Sequence, residues 1–298
     1  MFEDHQRHID DLNLVLEKYG RALYEHGKSY GKYAETLNAI TSWKPAIRRM
    51  LQGAWDFGFA WNRHEPNLHH VAMPGPIALV ILTTSMLWGW TRFAGVFALM
   101  WAGLLRPGEL LSANRSDLLL PSDGDKTLPF GLLAIRDPKT RFSNARHQSA
   151  KLDMADMLKI IELFLSPLQS QQRLWPYSGS TLRSRFHAIL QALQLPLDTV
   201  NGVRPLELAS VRAGAATWIM QTTEKGDLLQ RRGRWANRRM MDIYVQEVTA
   251  LVYLKRVPEH TKNHVLMVAD FFLQVLAKAE LFIQARIPPS SWFKLFRE

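Results

Sequence analysis

Apolar residues recur along this chain at intervals of three and four. Leu12, Val15, Leu16, Tyr19 and Leu23 fall on one face of a 3.6-residue spiral and predict an amphipathic helix. Gly27, Lys28 and Ser29 break it. Tyr33, Leu37 and Ile40 continue in a second helix, and Pro45 stands near the start of a third that carries Ile47, Met50, Leu51 and Trp55. Residues 62–76 lose this periodicity and contain Pro66, Pro74 and Pro76, so they read as a linker and divide the chain near residue 70. His69 and His70 within it lack metal-ligand spacing and read as exposed loop.

Beyond the divide, residues 75–105 are strongly apolar. A membrane span needs about 20 largely apolar residues. The run from 76 to 90 is shorter and Arg92 interrupts the apolar residues beyond it, so two buried helices are expected and no membrane partner. Residues 121–125 are turn-rich, and 130–136 (FGLLAIR), followed by Asp137 and Pro138, predict a strand of a small sheet. Helical spacing returns over 150–165, over 182–193 with Phe186, Ile189, Leu190 and Leu193 inward, and over 212–220 and 241–252. The tail, 264–287, is amphipathic or wholly buried. The pattern predicts a mainly α fold with a small β-sheet, divided into a small helical domain, 1–70, and a larger domain, 71–298, without internal repeats.

Composition narrows the classes. With 298 residues, 47% of them apolar, the chain can bury a sizeable core and is not disordered. A net charge of +10 suits a polyanionic partner, either nucleic acid or an acidic membrane surface. Without cysteine there is neither a disulfide framework nor a thiolate metal site, which suits a reducing compartment. The polar, acid-bearing amino terminus is not a signal peptide.

The chemistry concentrates in a few boxes. Arg212 opens an apolar-periodic segment, Trp235 follows a Gly-Arg pair, and Tyr244 stands nine residues further on. Earlier, GLLRPGELL (103–111) holds Arg106 with Glu109 one helical turn later, and Lys139 sits in Pro-Lys-Thr after the predicted strand. Two guanidiniums can clamp a phosphodiester bidentately, an indole N–H can donate to its oxygens, and a phenolate can attack phosphorus. Taken singly, each of these residues is as readily a surface charge or a packed aromatic. Arg231, Arg232, Arg234, Arg238 and Arg239 form a basic run beside them.

The order Arg106, Lys139, Arg212, Trp235, Tyr244, with 32 residues between Arg212 and Tyr244, resembles the catalytic end of the tyrosine recombinases, the phage integrase family. The boxes lie within 103–244 and the general resemblance covers about 75–300. The resemblance implies a site-specific DNA recombinase or integrase of mobile-element kind. Such an enzyme cuts and rejoins DNA through a 3′-phosphotyrosine intermediate. It implies a C-shaped clamp on duplex DNA and a homo-oligomer, the tetramer typical of the family. In these roles Tyr244 is the nucleophile, Arg106 and Arg212 grip the phosphate, Trp235 donates from the position where many members have histidine, Lys139 is the general acid, and Glu109 supports. No metal, ATP or other cofactor is required. Lys28, Lys32, Lys44, Arg48 and Arg49 in the shorter-than-usual amino-terminal domain, with Arg234 and Arg238, are the candidate DNA contacts. The compartment implied is intracellular: the nucleus in a eukaryote, the nucleoid or cytoplasm in a bacterium.

One departure stands out. The family's second box usually reads His-x-x-Arg, and three residues before Arg212 stands Ala209, which can neither give nor take a proton. The alternatives are therefore a DNA-binding relic that no longer cuts, or an activity like that of a type IB topoisomerase, which uses similar residues. A membrane-associated helical protein built on 76–105 is the remaining rival. His187 is a candidate from elsewhere in the sequence for the missing proton carrier.

Overall fold

The amino-terminal pattern folds into three helices: α1 (Phe2–Glu25), α2 (Tyr30–Trp43) and α3 (Gln52–His64). Their shared core is Leu16, Tyr33, Leu37, Leu51, Ala54 and Trp61. The periodic face of α1 is only partly used, since Val15 and Tyr19 remain exposed. Tyr33 is wholly buried and donates its hydroxyl to the Ala54 carbonyl at 2.9 Å. Burial, with Glu17 and Tyr30 nearby, pushes that phenol up to about 12. Pro45 begins a short 3₁₀ turn, Pro45–Ile47, rather than the third helix, which starts at Gln52. This computed structural model describes residues 2–65, 70–124, 127–138, 147–200 and 202–296. The chain divides into two compact units, Met1–His69 and His70–Glu298.

The second unit is built around two helices drawn from the apolar run, α4 (Gly75–Leu87) and α5 (Thr91–Ala102). Every residue from 93 to 102 is buried. No described helix is long and apolar enough to cross a membrane. Next come α6 (Pro107–Ser112) and an antiparallel sheet of β1 (Leu118–Leu119), β2 (Gly131–Ile135) and β3 (Gln148–Leu152), in the order β1-β2-β3. Leu133 of β2 pairs with Leu118 on one side and Ala150 on the other, which turns Leu133, Ile135, Ala150 and Leu152 into the core. The remaining elements are α7 (Ala155–Leu165), α8 (Gly179–Ala192), α9 (Leu208–Thr223), α10 (Gly226–Gly233), α11 (Arg238–Asp242), α12 (Glu247–Arg256), α13 (Glu259–Asp270), α14 (Phe272–Gln284) and α15 (Trp292–Leu295). The described residues are mainly helical with one small antiparallel sheet.

Helices α7 and α9 pack on α5, while α13 and α14 pack on α4. The tail therefore closes on its own unit. Val265, Phe272, Leu276 and Phe282 join the main core, and Trp292 is wholly buried against Phe164 and Phe282. Gly89, at φ +67°, lies so close to the Pro289 carbonyl that any side chain would collide with it, which pins the tail to the α4–α5 turn.

Three readings from periodicity change. Helical spacing over 150–165 covers the end of β3 before α7 begins at Ala155, because a short strand and a helix start share apolar residues. The segment 241–252 is broken between α11 and α12, and Tyr244 sits in the break. The unit boundary falls where periodicity is lost, yet Val71, Ala72 and Met73 are buried in the second unit rather than exposed as linker. The Met73 amide donates to the Ser210 carbonyl of α9 at 3.2 Å. Gly214 of α9 lies directly against the Met73 backbone, with no room for a methyl group. Gly214→Ala should therefore cost about 1–3 kcal/mol, the usual range for overpacking. Chemical denaturation with an unchanged m-value is the measurement, and stability equal to the parent would show that α9 and this segment do not approach so closely.

Candidate active site around Glu109

Helix α5 ends at a residue that rarely adopts the conformation found there. Leu104 is wholly buried with φ +47°, a left-handed backbone that costs a non-glycine residue about 1–2 kcal/mol. Leu105 N–H reaches back to the Met100 carbonyl at 3.0 Å and closes the helix, leaving the carbonyls of Gly103 and Leu104 turned outward. Two arginines from distant sequence take them. Arg212 donates Nη1 to Leu104 and Nη2 to the Gly233 carbonyl at 2.5 Å. Arg234 donates to Gly103 at 3.1 Å and to Leu104 at 3.3 Å. Cations at a helix carboxyl terminus also meet its negative dipole end.

Glu109 gathers the cluster. It is 7% exposed and stands in the first turn of α6. One carboxylate oxygen accepts the Arg106 guanidinium at 2.8 Å; the other accepts the Arg106 backbone N–H at 2.9 Å and Arg234 Nη2 at 2.7 Å. Arg212 Nη1 lies 3.9 Å from the latter oxygen. One carboxylate thus faces three guanidiniums, which leaves two positive charges in excess. Burial alone would raise the Glu109 carboxyl. Arg234, the Arg106 amide, Arg212 and Arg106 outweigh that and hold it below its ordinary 4.5. Burial, followed by repulsion from Arg106 and Arg234, pushes Arg212 down to about 9, while Glu109 and Tyr244 oppose the shift. Arg212 stays charged at neutral pH.

The aromatic residues complete the arrangement. Arg234, at φ +56°, ends α10 in the left-handed conformation and sends Trp235 back across Gly233, whose lack of a side chain the indole requires. The Arg212 guanidinium carbon lies 5.0 Å from the Trp235 ring and 5.4 Å from the Tyr244 ring, and the two rings are 5.0 Å apart. Tyr244 is half-buried in the turn after α11. Thr217 of α9 donates to the Tyr244 carbonyl at 3.2 Å and accepts from the Gln246 amide at 3.0 Å. The Gln246 side chain accepts from the Ala72 N–H at 3.2 Å and donates to the His70 carbonyl at 2.9 Å. The segment carrying the phenol is therefore tied down on both sides.

Four of the five boxed residues, Arg106, Arg212, Trp235 and Tyr244, come together with Glu109; Lys139 lies outside the described residues. Arg234 is a buried member of the cluster, 6% exposed at its side chain, whereas Arg238 is exposed at the start of α11. Lys28, Lys32, Lys44, Arg48 and Arg49 are exposed on the first unit. Ala209 lies in the first turn of α9, on the same face as Arg212. The competing phenol, Tyr253, is 4% exposed and burial raises it well above the usual tyrosine range, so it is a core residue. Two buried donors in the cluster, Arg212 Nε and Trp235 Nε1, have no acceptor. A buried unsatisfied donor costs about 1–3 kcal/mol. Beside the cluster lies an open cleft of about 620 Å³, lined by His147, Asp227, Gln230, Arg231, Arg234 and Trp235 among others. Among the described residues no group of three or more acids and histidines is placed to hold a metal ion.

Sequence reasoning missed the support. Leu104 carries no signal of its left-handed backbone, since bulky residues seldom adopt it. Gln246 and Thr217 act through long-range hydrogen bonds that no local pattern records.

Because folding holds the Glu109 carboxyl below its unfolded value, the stability it contributes is complete above about pH 4.5 and is lost as pH falls through the depressed value. Glu109→Gln should destabilise the protein by about 3–5 kcal/mol at neutral pH, as breaking a buried ion pair does, and flatten the acid side of the stability profile. Denaturant titrations between pH 3 and 7 test both effects, and a variant as stable as its parent would show that the carboxylate is dispensable.

No family model matches the chain, and no curated protein matches it. Solved structures do. The chain is similar to a XerA recombinase at 13% identity, covering 85% of this chain and 93% of that one, with a TM-score of 0.44. It is similar to a XerH site-specific recombinase bound to difH substrate in a pre-cleavage complex, at 13% identity over 73% and 67% of the two chains, TM-score 0.45. A post-cleavage complex of XerH on palindromic difH is similar at 14% identity over 72% and 68%, TM-score 0.42.

Proposed function

We propose that this chain is a DNA strand transferase of the tyrosine recombinase type, which cuts and rejoins duplex DNA through a covalent link to Tyr244. The observation that carries the reading is the pair of buried donors without acceptors, Arg212 Nε and Trp235 Nε1, packed beside the Tyr244 ring in a cluster of excess positive charge. Buried donors without partners call for a functional explanation, and a phosphate oxygen is the acceptor that such a set suits. Arg106, 22% exposed at its side chain and held by Glu109, is the guanidinium of the cluster most open to the same phosphate.

The phenol oxygen would attack phosphorus and the bridging ester oxygen would leave. Arg106 and Arg212 would neutralise charge on the non-bridging oxygens as it grows, and the Trp235 indole N–H would donate to them. Arg234, buried on Glu109, would position the cluster rather than track DNA from outside. The exposed cations Lys28, Lys32, Lys44, Arg48 and Arg49 on the first unit, with Arg238 on the second, would hold the backbone of the duplex. Working on paired sites would require a homo-oligomer inside the DNA-containing compartment. The exposed apolar residues Val248, Leu251, Phe271 and Leu273 of the carboxyl-terminal helices suit contacts between protomers.

A second reading, a relic that grips DNA without cutting it, is favoured by Ala209 and by both terminal nitrogens of Arg212 already donating to backbone carbonyls. A random-sequence library of nicked duplexes separates the two, because the nick lets the cleaved fragment diffuse away and traps the adduct. Wild type should form a denaturant-resistant protein–DNA adduct, Tyr244→Phe none, and Arg106→Ala or Arg212→Ala about 10²–10³-fold less. Binding without any adduct from wild type would establish the relic, and relaxation of supercoils without joining two sites would indicate topoisomerase action. Removing Arg48 and Arg49 together should lower the slope of log affinity against log salt by about 2, roughly one per lost phosphate contact. An unchanged slope would take these residues off the DNA.

A further inference from the structure

A second cavity shares no lining residue with the cleft beside the arginines. It holds about 430 Å³, within the usual range of small-molecule sites. The start of α4, the end of α5, the start of α7, part of α9 and the α13–α14 junction form its walls. Ala78, Trp101, Met157 and Phe272 are buried along it, whereas Trp218 and Leu273 are 41% and 60% exposed at its edge. The Trp218 indole lies against Gly75, where any side chain would displace it, so the fold sets the position of that wall.

The charged groups of this cavity are two carboxylates. Asp156 stands in the first turn of α7 and Asp270 at the end of α13, and both are exposed. Neither carboxylate has an ion-pair or hydrogen-bond partner among the described residues, and no described lysine, arginine or histidine lines the cavity. In a chain with 37 basic and 27 acidic residues this is a local reversal of charge. It repels phosphate, so the cavity forms no part of a DNA surface. What it matches is a cation with an apolar body. Apolar walls take the body out of water, the face of an indole attracts positive charge, and the carboxylates balance that charge.

We propose that this cavity binds a small organic ammonium ion, an amine or quaternary ammonium that carries an aromatic or aliphatic body. The ammonium pairs with Asp156 and Asp270 beside Trp218, and the body packs on Trp101 and Phe272. The site is separate from strand transfer and stands whether or not Tyr244 attacks DNA.

Calorimetric titration of the full chain with phenylbutylamine, phenylbutanol and phenylbutyrate tests this, because the three probes carry different charges on one body. The amine should bind saturably with a Kd of about 1 mM or tighter. The alcohol should bind about 10-fold more weakly and the carboxylate not at all. Asp156→Asn and Asp270→Asn should each weaken the amine about 2–5-fold, as loss of an exposed ion pair does, and leave the alcohol unchanged. Trp218→Ala should weaken both. Added salt should weaken the amine alone. Because both carboxylates are exposed, circular dichroism should show each asparagine variant folded. Equal binding of amine and alcohol, amine binding untouched by the double asparagine variant, or no saturable binding of the amine would each overturn the proposal. So would self-association of the chain that Trp218→Ala abolishes, since a second copy would then occupy the cavity.

Discussion

A single carboxylate organises the chemistry of this molecule. Three guanidiniums drawn from residues 106, 212 and 234 would repel one another if brought together in a buried place, and Glu109 makes their approach tolerable. Its oxygens accept from Arg106 and Arg234 and lie within ionic reach of Arg212. Because the balance stops at one negative charge against three positive, the cluster remains an attractive place for an anion. The same interaction is thus both a structural joint, tying α6 to α9 and α10, and the source of the positive field.

The backbone contributes as much as the side chains. Leu104 and Arg234 both sit in the left-handed region, and each turns the chain at the end of a helix. Leu104 presents a carbonyl to two arginines, and Arg234 folds Trp235 over Gly233 and against Tyr244. Strain of this kind persists where surrounding contacts over-determine the geometry. Here the contacts are the two guanidiniums that the strained carbonyl itself receives. Gln246 and Thr217 perform the equivalent service for the phenol, holding the turn after α11 against α9 and the buried segment at Ala72.

The sequence made much of this legible where short-range rules apply. The apolar run from 75 to 105 announced the buried pair α4 and α5, and FGLLAIR announced β2. The spacing of Arg106 to Glu109 was legible because both stand at the amino end of α6, whereas Trp235 and Tyr244 meet only after α11 and its turn have folded between them. The features that stayed hidden depend on contacts between remote parts. β3 ran into the helical spacing of α7, and the turn at Tyr244 interrupted an apparently continuous helix. Arg234 read as one of a basic run, although it is buried on a carboxylate 125 residues away.

The proposed strand transfer requires a covalent bond from the Tyr244 phenol oxygen to DNA, and the most direct measurement is to find that bond. Adduct from a nicked duplex, digested with protease and nuclease and read by tandem mass spectrometry, should carry its nucleotide on the peptide containing Tyr244. A nucleotide on any other residue would contradict the account, as would wild-type protein recovered unmodified after productive binding.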